Sequence, residues 1–244
     1  MISFVNKTSQ GWCNLFNTLD IPYLICSIIC FVPAVVFHEV AHGFAAYKLG
    51  DPTAKLKGRL SLNPAKHIDP FGTVLMPIML MAMNMPVFGY AKPVPYNPLF
   101  FKDKRKGDLI VGLAGPGANF AMALLGALLY HGVVLTLTVL TQATAQALLN
   151  NMIFGYAFFT AVPLFVYINL IFMFFNLLPI PPLDGSSIFA FLMPEKYLPQ
   201  YYKVQRWAFP IFMILVIVVP QVLHFSPIGL YLNVTAGNLL TFLL

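Results

Sequence analysis

The sequence predicts an all-α polytopic membrane protein, and three observations carry that expectation. Of the 244 residues, 59% are hydrophobic and only 9% charged, with a mean hydropathy of +0.79, whereas soluble domains carry about 25% charged residues. Two long stretches are almost free of charge: Glu39 is the only Asp, Glu, Lys or Arg between Asp20 and Lys48, and there is none from Leu109 to Leu183. The basic residues gather in short segments beside the apolar runs, which accounts for the net charge of +6 by positive-inside topology rather than nucleic-acid binding.

The first apolar helix is predicted over about 21–49. The first twenty residues lack a basic start followed by an apolar core, so no cleavable leader is expected. Cys26 and Cys30 fall at helical spacing in this span and, with Cys13, give no disulfide framework. Further helices are predicted over about 108–140, 151–178, 204–223 and 227–244, giving about five to six transmembrane helices. A shorter stretch, about 71–88, contains Pro77 and is bracketed by proline and glycine.

Loop charge sets the topology. Lys48, Lys55, Lys57, Arg59 and Lys66 precede the 71–88 stretch, and Lys92, Lys102, Lys104, Arg105 and Lys106 follow it. Lys/Arg-rich loops stay cytoplasmic, so both segments belong on one side and 71–88 is expected to be re-entrant or to lie along the interface. The N-terminal tail then lies outside. No internal repeat or soluble domain is present. The organisation is one integral membrane domain over 1–244, with a core at about 20–190 and C-terminal helices at about 204–244.

Candidate chemistry begins at His38-Glu39-Val40-Ala41-His42. Positions i and i+4 share a helix face, so His38 and His42 can hold one metal ion with Glu39 beside it. An ionisable residue inside lipid costs about 2.5–3.5 kcal/mol on insertion scales, so Glu39 calls for a functional reason. A third candidate is Asp184, where the charge-free run breaks. Pro179 is expected to end the preceding helix near Leu178, Pro181-Pro182 to extend the chain, and Gly185 to allow a tight turn after the carboxylate. If 71–88 does not cross, Asp184 and His42 reach the same side of the membrane, where two histidines and one carboxylate complete a zinc hydrolase ligand set.

HEVAH in an apolar helix, GPGANF (115–120) in a later one and NLLPIPPLDG (176–185) after another resemble the site-2 protease family of intramembrane zinc metalloproteases. NPAKHIDPFGT (63–73) and GYAKPVPYNP (89–98) resemble its short prokaryotic branch, which lacks an added PDZ or CBS domain. The likeness covers about residues 20–190. It implies one zinc ion held by His38, His42 and Asp184, with Glu39 as the catalytic base. It also implies cleavage in or near transmembrane segments of membrane proteins, near the cytoplasmic face of a prokaryotic inner membrane.

Secondary candidates keep two readings each. Gly115-Pro116 is expected to loosen or kink its helix. Asn119 either lines the active site, donating to a substrate carbonyl, or makes an interhelical hydrogen bond. His67 either approaches the zinc site or is an interfacial histidine capped by Asp69. The proline-alternating segment at 89–98 reads as extended, and the family places a membrane-associated β element there. Tyr90 and Val94 are therefore candidates for contacting a substrate helix unwound to extended form, with gating or plain structural closure as alternatives. A metal-ion transporter and an inactive, membrane-protein-binding relative are the rival functions. The sequence leaves the oligomeric state and the substrate's identity open.

Overall fold

The computed structural model describes residues 21–76, 79, 91–140, 155 and 157–244, and helices are the only regular elements among them. Helix α1 spans Ile21–Lys48 and a short α2 spans Thr53–Leu56. Helix α3 runs from Lys104 to Val139, its start capped by Asp103, whose carboxylate accepts from the backbone N–H groups of Arg105 and Lys106. Helix α4 is Val162–Asn176, entered through a wide π-type turn at Ala157–Ala161. Helix α5 is Gly185–Leu192 and α6 is Leu198–Gln205. Ala208–Met213, Ile214–Val218 and Val219–Leu223 continue as α7; Pro227–Leu232, Asn233–Gly237 and Asn238–Leu243 form α8.

Helix α3 is the spine, packed against α1, α4 and α5. Side-chain pairing fixes the directions. Asn119 of α3 meets Ala34 and His38 of α1, while Val111, two turns earlier in α3, meets His42, later in α1. Helices α1 and α3 are therefore antiparallel. Asn119 also meets Asn169 of α4, and Gly126, further along α3, faces Val166, earlier in α4. Helices α3 and α4 are antiparallel too, so α1 and α4 run the same way and finish at the same end. The chain from 49 to 103 leaves and re-enters at that end, as the loop charges require.

The outer faces stay apolar and uncovered, as with Ile25, Ile28 and Ile29 on α1 and Leu125, Leu128 and Leu129 on α3. Contiguous apolar surface of this kind faces lipid rather than water. Among the described residues three helices are long and apolar enough to cross a bilayer, Pro22–Lys48, Lys104–Val139 and Phe158–Asn176, or four if the bent pair Glu195–Gln205 and Ala208–Leu223 is one span. The chain is an integral membrane protein. Inside, Ala123, Val166, Leu170 and Ala236 form a buried cluster joining α3, α4 and α8, and Cys30 is buried with its thiol donating to Ala161 O at 3.4 Å.

The predicted span 204–223 starts later than expected. Glu195–Gln205 and Ala208–Leu223 meet at a 68° bend, where the polar α6 (LPQYYKVQ) gives way to the apolar run of α7 and Pro210 has no N–H to bond back to the Arg206 carbonyl. Of the predicted re-entrant stretch 71–88, only 71–76 and 79 are described; Pro70–Leu75 makes a wide helical turn whose N–H groups at Phe71 and Gly72 are capped by Asp69. Residues 151–154 of the predicted third helix lie outside the described residues.

Residues 91–97 have no strand partner among the described residues; one backbone bond, Lys92 N to His67 O at 2.9 Å, and several side chains hold them. Asp51, fully buried just past α1, accepts from Thr53 N and Oγ1 through one oxygen and from Asn97 N at 2.6 Å through the other. The Arg59 guanidinium donates to the carbonyls of Lys66, Lys92 and Pro93. Burial pushes the Asp51 carboxyl up, but the Thr53 hydroxyl and the backbone N–H groups of Asn97 and Thr53 outweigh it and hold it below the ordinary carboxylate value. A depressed carboxylate stabilises while ionised, so its contribution is complete above about pH 4 and lost as the pH falls through its lowered value. Asp51→Ala should therefore lower stability by about 2 kcal/mol at pH 7 by stranding buried donors. Thermal melts of detergent-solubilised protein should show the wild-type advantage shrinking below pH 4.

Candidate metal centre

His38 and His42 lie one turn apart on α1, both buried, with their Nε2 atoms 3.0 Å apart. The other ring nitrogens determine what those atoms can do. His42 Nδ1 lies 2.7 Å from the Val111 carbonyl, which can only accept, so Nδ1 carries a proton and, in the neutral ring, Nε2 offers its lone pair to the triangle. His38 Nδ1 lies 2.6 Å from Asn119 Oδ1. The amide of Asn119 is oriented by donating Nδ2 to the Ala34 carbonyl at 3.0 Å, so its oxygen faces His38 and, in the neutral ring, His38 Nε2 also offers its lone pair.

Asp184 Oδ2 completes a triangle, 3.1 Å from His38 Nε2 and 3.3 Å from His42 Nε2. It is buried and receives no conventional hydrogen bond from the described residues. Three groups that can each offer an electron pair thus converge, an arrangement whose repulsion a metal ion or a proton between them offsets. The edges also match a particular cation. Tetrahedral zinc with bonds of ~2.0–2.1 Å keeps its ligand atoms about 3.3 Å apart. Two imidazoles and a carboxylate suit zinc by chemistry as well as by spacing, and no other group of three such ligand atoms is found among the described residues.

Asp184 arrives there by a sequence of turns rather than the extended run expected from Pro181-Pro182. Helix α4 ends at Asn176, Ile180 N donates to Leu178 O, and Leu183 N donates to Ile180 O. Ser187 then ties back to the Asp184 carbonyl through its N–H at 3.0 Å and its hydroxyl at 2.7 Å. Gly185 is needed for close approach rather than turn geometry, since it opens α5 and a Cβ there would come within 2.5 Å of the backbone at Leu177 and Leu178. Arg105 anchors the far end of α5, its guanidinium donating to the carbonyls of Ala190, Phe191 and Met193.

Gly115 lies against the histidine pair. A Cβ there would sit 2.6 Å from His38 Cε1 and overlap His42 Nε2. Helix α3 continues without interruption through Pro116, so this glycine makes room for imidazole rather than breaking the helix. Phe172 of α4 packs edge-on against His38. The Asp184 side chain is 22% exposed against 5% and 10% for the two histidines, so access to the triangle is from the Asp184 side.

Glu39 is half-buried, and its Oε2 accepts from the backbone N–H of Val94 at 2.9 Å. Val94 is itself buried over Gly43, one turn beyond Glu39. Asn119 is fully buried with both amide hydrogens engaged, by Ala34 O and Asn169 Oδ1, so neither is free for a substrate. His67 is buried outside the triangle, its Nε2 at 2.7 Å from the Ser61 carbonyl, while Asp69 caps Phe71 and Gly72 instead of His67. Tyr90 lies outside the described residues. Asn169 shares with Asn119 a signal visible in the sequence, an amide inside a span with no Asp, Glu, Lys or Arg, although Asn151 and Asn176 dilute it. The Val111 carbonyl and the Arg105 anchor leave no such trace.

The family model for peptidase family M50 matches residues 26–219. "Putative zinc metalloprotease YwhC" of Bacillus subtilis is 37% identical over 210 residues, covering 86% of this chain and 83% of the relative. "Putative zinc metalloprotease Rip2" of Mycolicibacterium smegmatis is 28% identical over 219 residues, covering 85% of this chain and 76% of the relative. A protein of the same name from Mycobacterium tuberculosis is 28% identical over 163 residues. No solved structure matches the chain.

Gly115 offers a test of the centre that leaves its candidate ligands untouched. Gly115→Ala should displace the imidazoles and weaken zinc binding by about 10-fold or more, measured by chelator competition. A variant that binds zinc as the parent does would show that the pair has room the packing denies it.

Proposed function

The chain belongs to peptidase family M50, the site-2 protease family, and we propose that it hydrolyses peptide bonds in or near transmembrane segments of membrane proteins, close to the cytoplasmic face. It is a zinc metalloprotease of site-2 type by its family and its relatives' names. The observation that carries the finer reading is the buried triangle of His38, His42 and Asp184 at the end of the span that also bears Glu39.

His38, His42 and Asp184 would hold one zinc ion per chain, which would supply a water of pKa near ~7 and a positive charge for the scissile carbonyl. Glu39 takes the proton as the water attacks, then delivers it to the leaving amine. With Oε2 held by Val94 N–H, Oε1 remains for the proton, and the carboxylate is oriented by the 91–97 segment. Asn119 and the Val111 carbonyl orient the two imidazoles, Gly115 makes room for them, and His67 holds the loop that Arg59 and Lys92 share.

A substrate helix has to be unwound before its backbone reaches Glu39; Val94, whose N–H holds Glu39, flanks that approach, and Tyr90 is proposed from the sequence as a second substrate contact. Strand addition here has a constraint. Pro93, Pro95 and Pro98 offer no N–H, and the N–H groups of Lys92, Val94 and Asn97 are taken by His67 O, Glu39 and Asp51. A substrate strand therefore pairs chiefly by donating to carbonyls of this segment.

Orientation follows from charge. The segments carrying Lys48 through Lys66 and Lys92 through Lys106 flank the end of α1 and the start of α3, beside the triangle, so that end faces the cytoplasm. The named relatives are bacterial, which supports the inner membrane of a prokaryotic cell. The partners are the lipid bilayer and the substrate membrane protein, not nucleic acid.

Wild type and Glu39→Gln, purified in detergent and assayed against a panel of single-span proteins, test the assignment. The variant should keep one zinc per chain and lose cleavage by about 10²–10⁴-fold. Cleavage at the parental rate would remove Glu39 from the reaction, and zinc flux into liposomes without proteolysis would replace the hydrolase with a transporter.

A further inference from the structure

Behind the histidine pair lies a row of amides in the protein interior. Asn169 of α4 is fully buried and donates its Nδ2–H to the Phe165 carbonyl at 2.9 Å, one turn back on the same helix. Its Oδ1 consequently points away from that carbonyl and accepts from Asn119 Nδ2 at 2.9 Å. Asn119, also fully buried, donates its other amide hydrogen to the Ala34 carbonyl and turns its oxygen to His38 Nδ1.

Two backbone carbonyls, Phe165 O and Ala34 O, can only accept, so they orient the whole row. Every hydrogen bond then points the same way: His38 donates to Asn119, Asn119 to Asn169, and Asn169 to Phe165. Aligned bonds in a low-dielectric interior polarise one another and strengthen. The consequence falls on the far nitrogen of His38. With the proton held on Nδ1, Nε2 is presented bare toward Asp184 and His42. An Asn119 amide turned over would place N–H groups against Nδ1 and move the ring proton to Nε2, where it blocks the electron pair.

We infer that Asn169 is a positioning residue of the metal centre, acting through Asn119 to fix the tautomer and ring orientation of His38. This rests on the assignment of His38, His42 and Asp184 as the ligands of the zinc site. A hydrogen bond between α3 and α4 that only held the bundle together would not need to end on a ligand, and Asn169 reaches His38 through a single intervening side chain.

The test is metal binding rather than turnover. Zinc affinity by chelator competition and the visible spectrum of the cobalt-substituted protein are compared for wild type, Asn169→Leu and Asn169→Asp. Leucine is close in size and removes both hydrogen bonds. Aspartic acid, kept neutral by the apolar interior, accepts from Asn119 through one oxygen and donates to Phe165 O through its hydroxyl. The leucine variant should bind zinc about 10–100-fold more weakly with a shifted cobalt spectrum, and the aspartic acid variant should restore both.

Wild-type affinity and spectrum in the leucine variant overturn the inference, as does a fall in thermal stability alone or equal loss in both variants. Should Asn169→Leu fail to fold, Asn169→Ser, whose hydroxyl is too short to reach Asn119, is read the same way. Failure of the ligand assignment looks different: His42→Ala would then bind zinc as tightly as wild type, whatever Asn169 does.

Discussion

The centre of this structure is an electrostatic conflict. His38 Nε2, His42 Nε2 and Asp184 Oδ2 point at one another across 3.0–3.3 Å with their hydrogens directed elsewhere. In water such a cluster would separate; inside a helical bundle it calls for positive charge between its members, a metal ion or a proton. The Val111 carbonyl and the Asn119 amide hold the ring protons at the back of each imidazole. The antiparallel run of α3 between two parallel helices is what brings the three groups together, close enough to hold one cation.

Small residues make the convergence possible. Gly115 lets α3 come up against both imidazoles, and Gly185 lets the turn carrying Asp184 fold under the end of α4. Association of helices in lipid has no water to expel, so close packing and buried polar contacts hold the helices instead. The polar contacts here are concentrated on one face. Asn119, Asn169, the two histidines and Asp184 lie along the junction of α1, α3 and α4, while the outward faces carry residues such as Ile28 and Leu128.

Much of this was legible in the sequence because membrane chains leave few ways to place a charge. A carboxylate alone in an apolar helix, flanked by histidines at i and i+4, marks a metal site, and the next break in charge-free sequence supplies Asp184. Loop lysines and arginines alone placed the ends of α1 and α4 on one side, and the pairing of Asn119 and Val111 with α1 agrees. What the sequence left hidden was carried by backbone and shape. The acceptor behind His42 is a main-chain carbonyl, which any residue provides. The glycines at 115 and 185 read as flexibility, whereas they serve close approach. Residues 91–97 read as an extended strand, yet Asp51, Arg59 and Glu39 hold them, through contacts at long sequence separation. The bend lies just before the apolar run of α7, where the polar α6 ends and Pro210 offers no N–H to the Arg206 carbonyl.

X-ray absorption at the zinc edge, on protein purified in detergent and quantified for metal, addresses the central claim most directly. The account predicts one zinc per chain with only nitrogen and oxygen neighbours at about 2.0–2.2 Å, including the outer-shell scattering of two imidazoles. In Asp184→Ala the metal content should fall. Zinc retained at full stoichiometry without imidazole scattering, or with sulfur at about 2.3 Å, would place the metal elsewhere and contradict it.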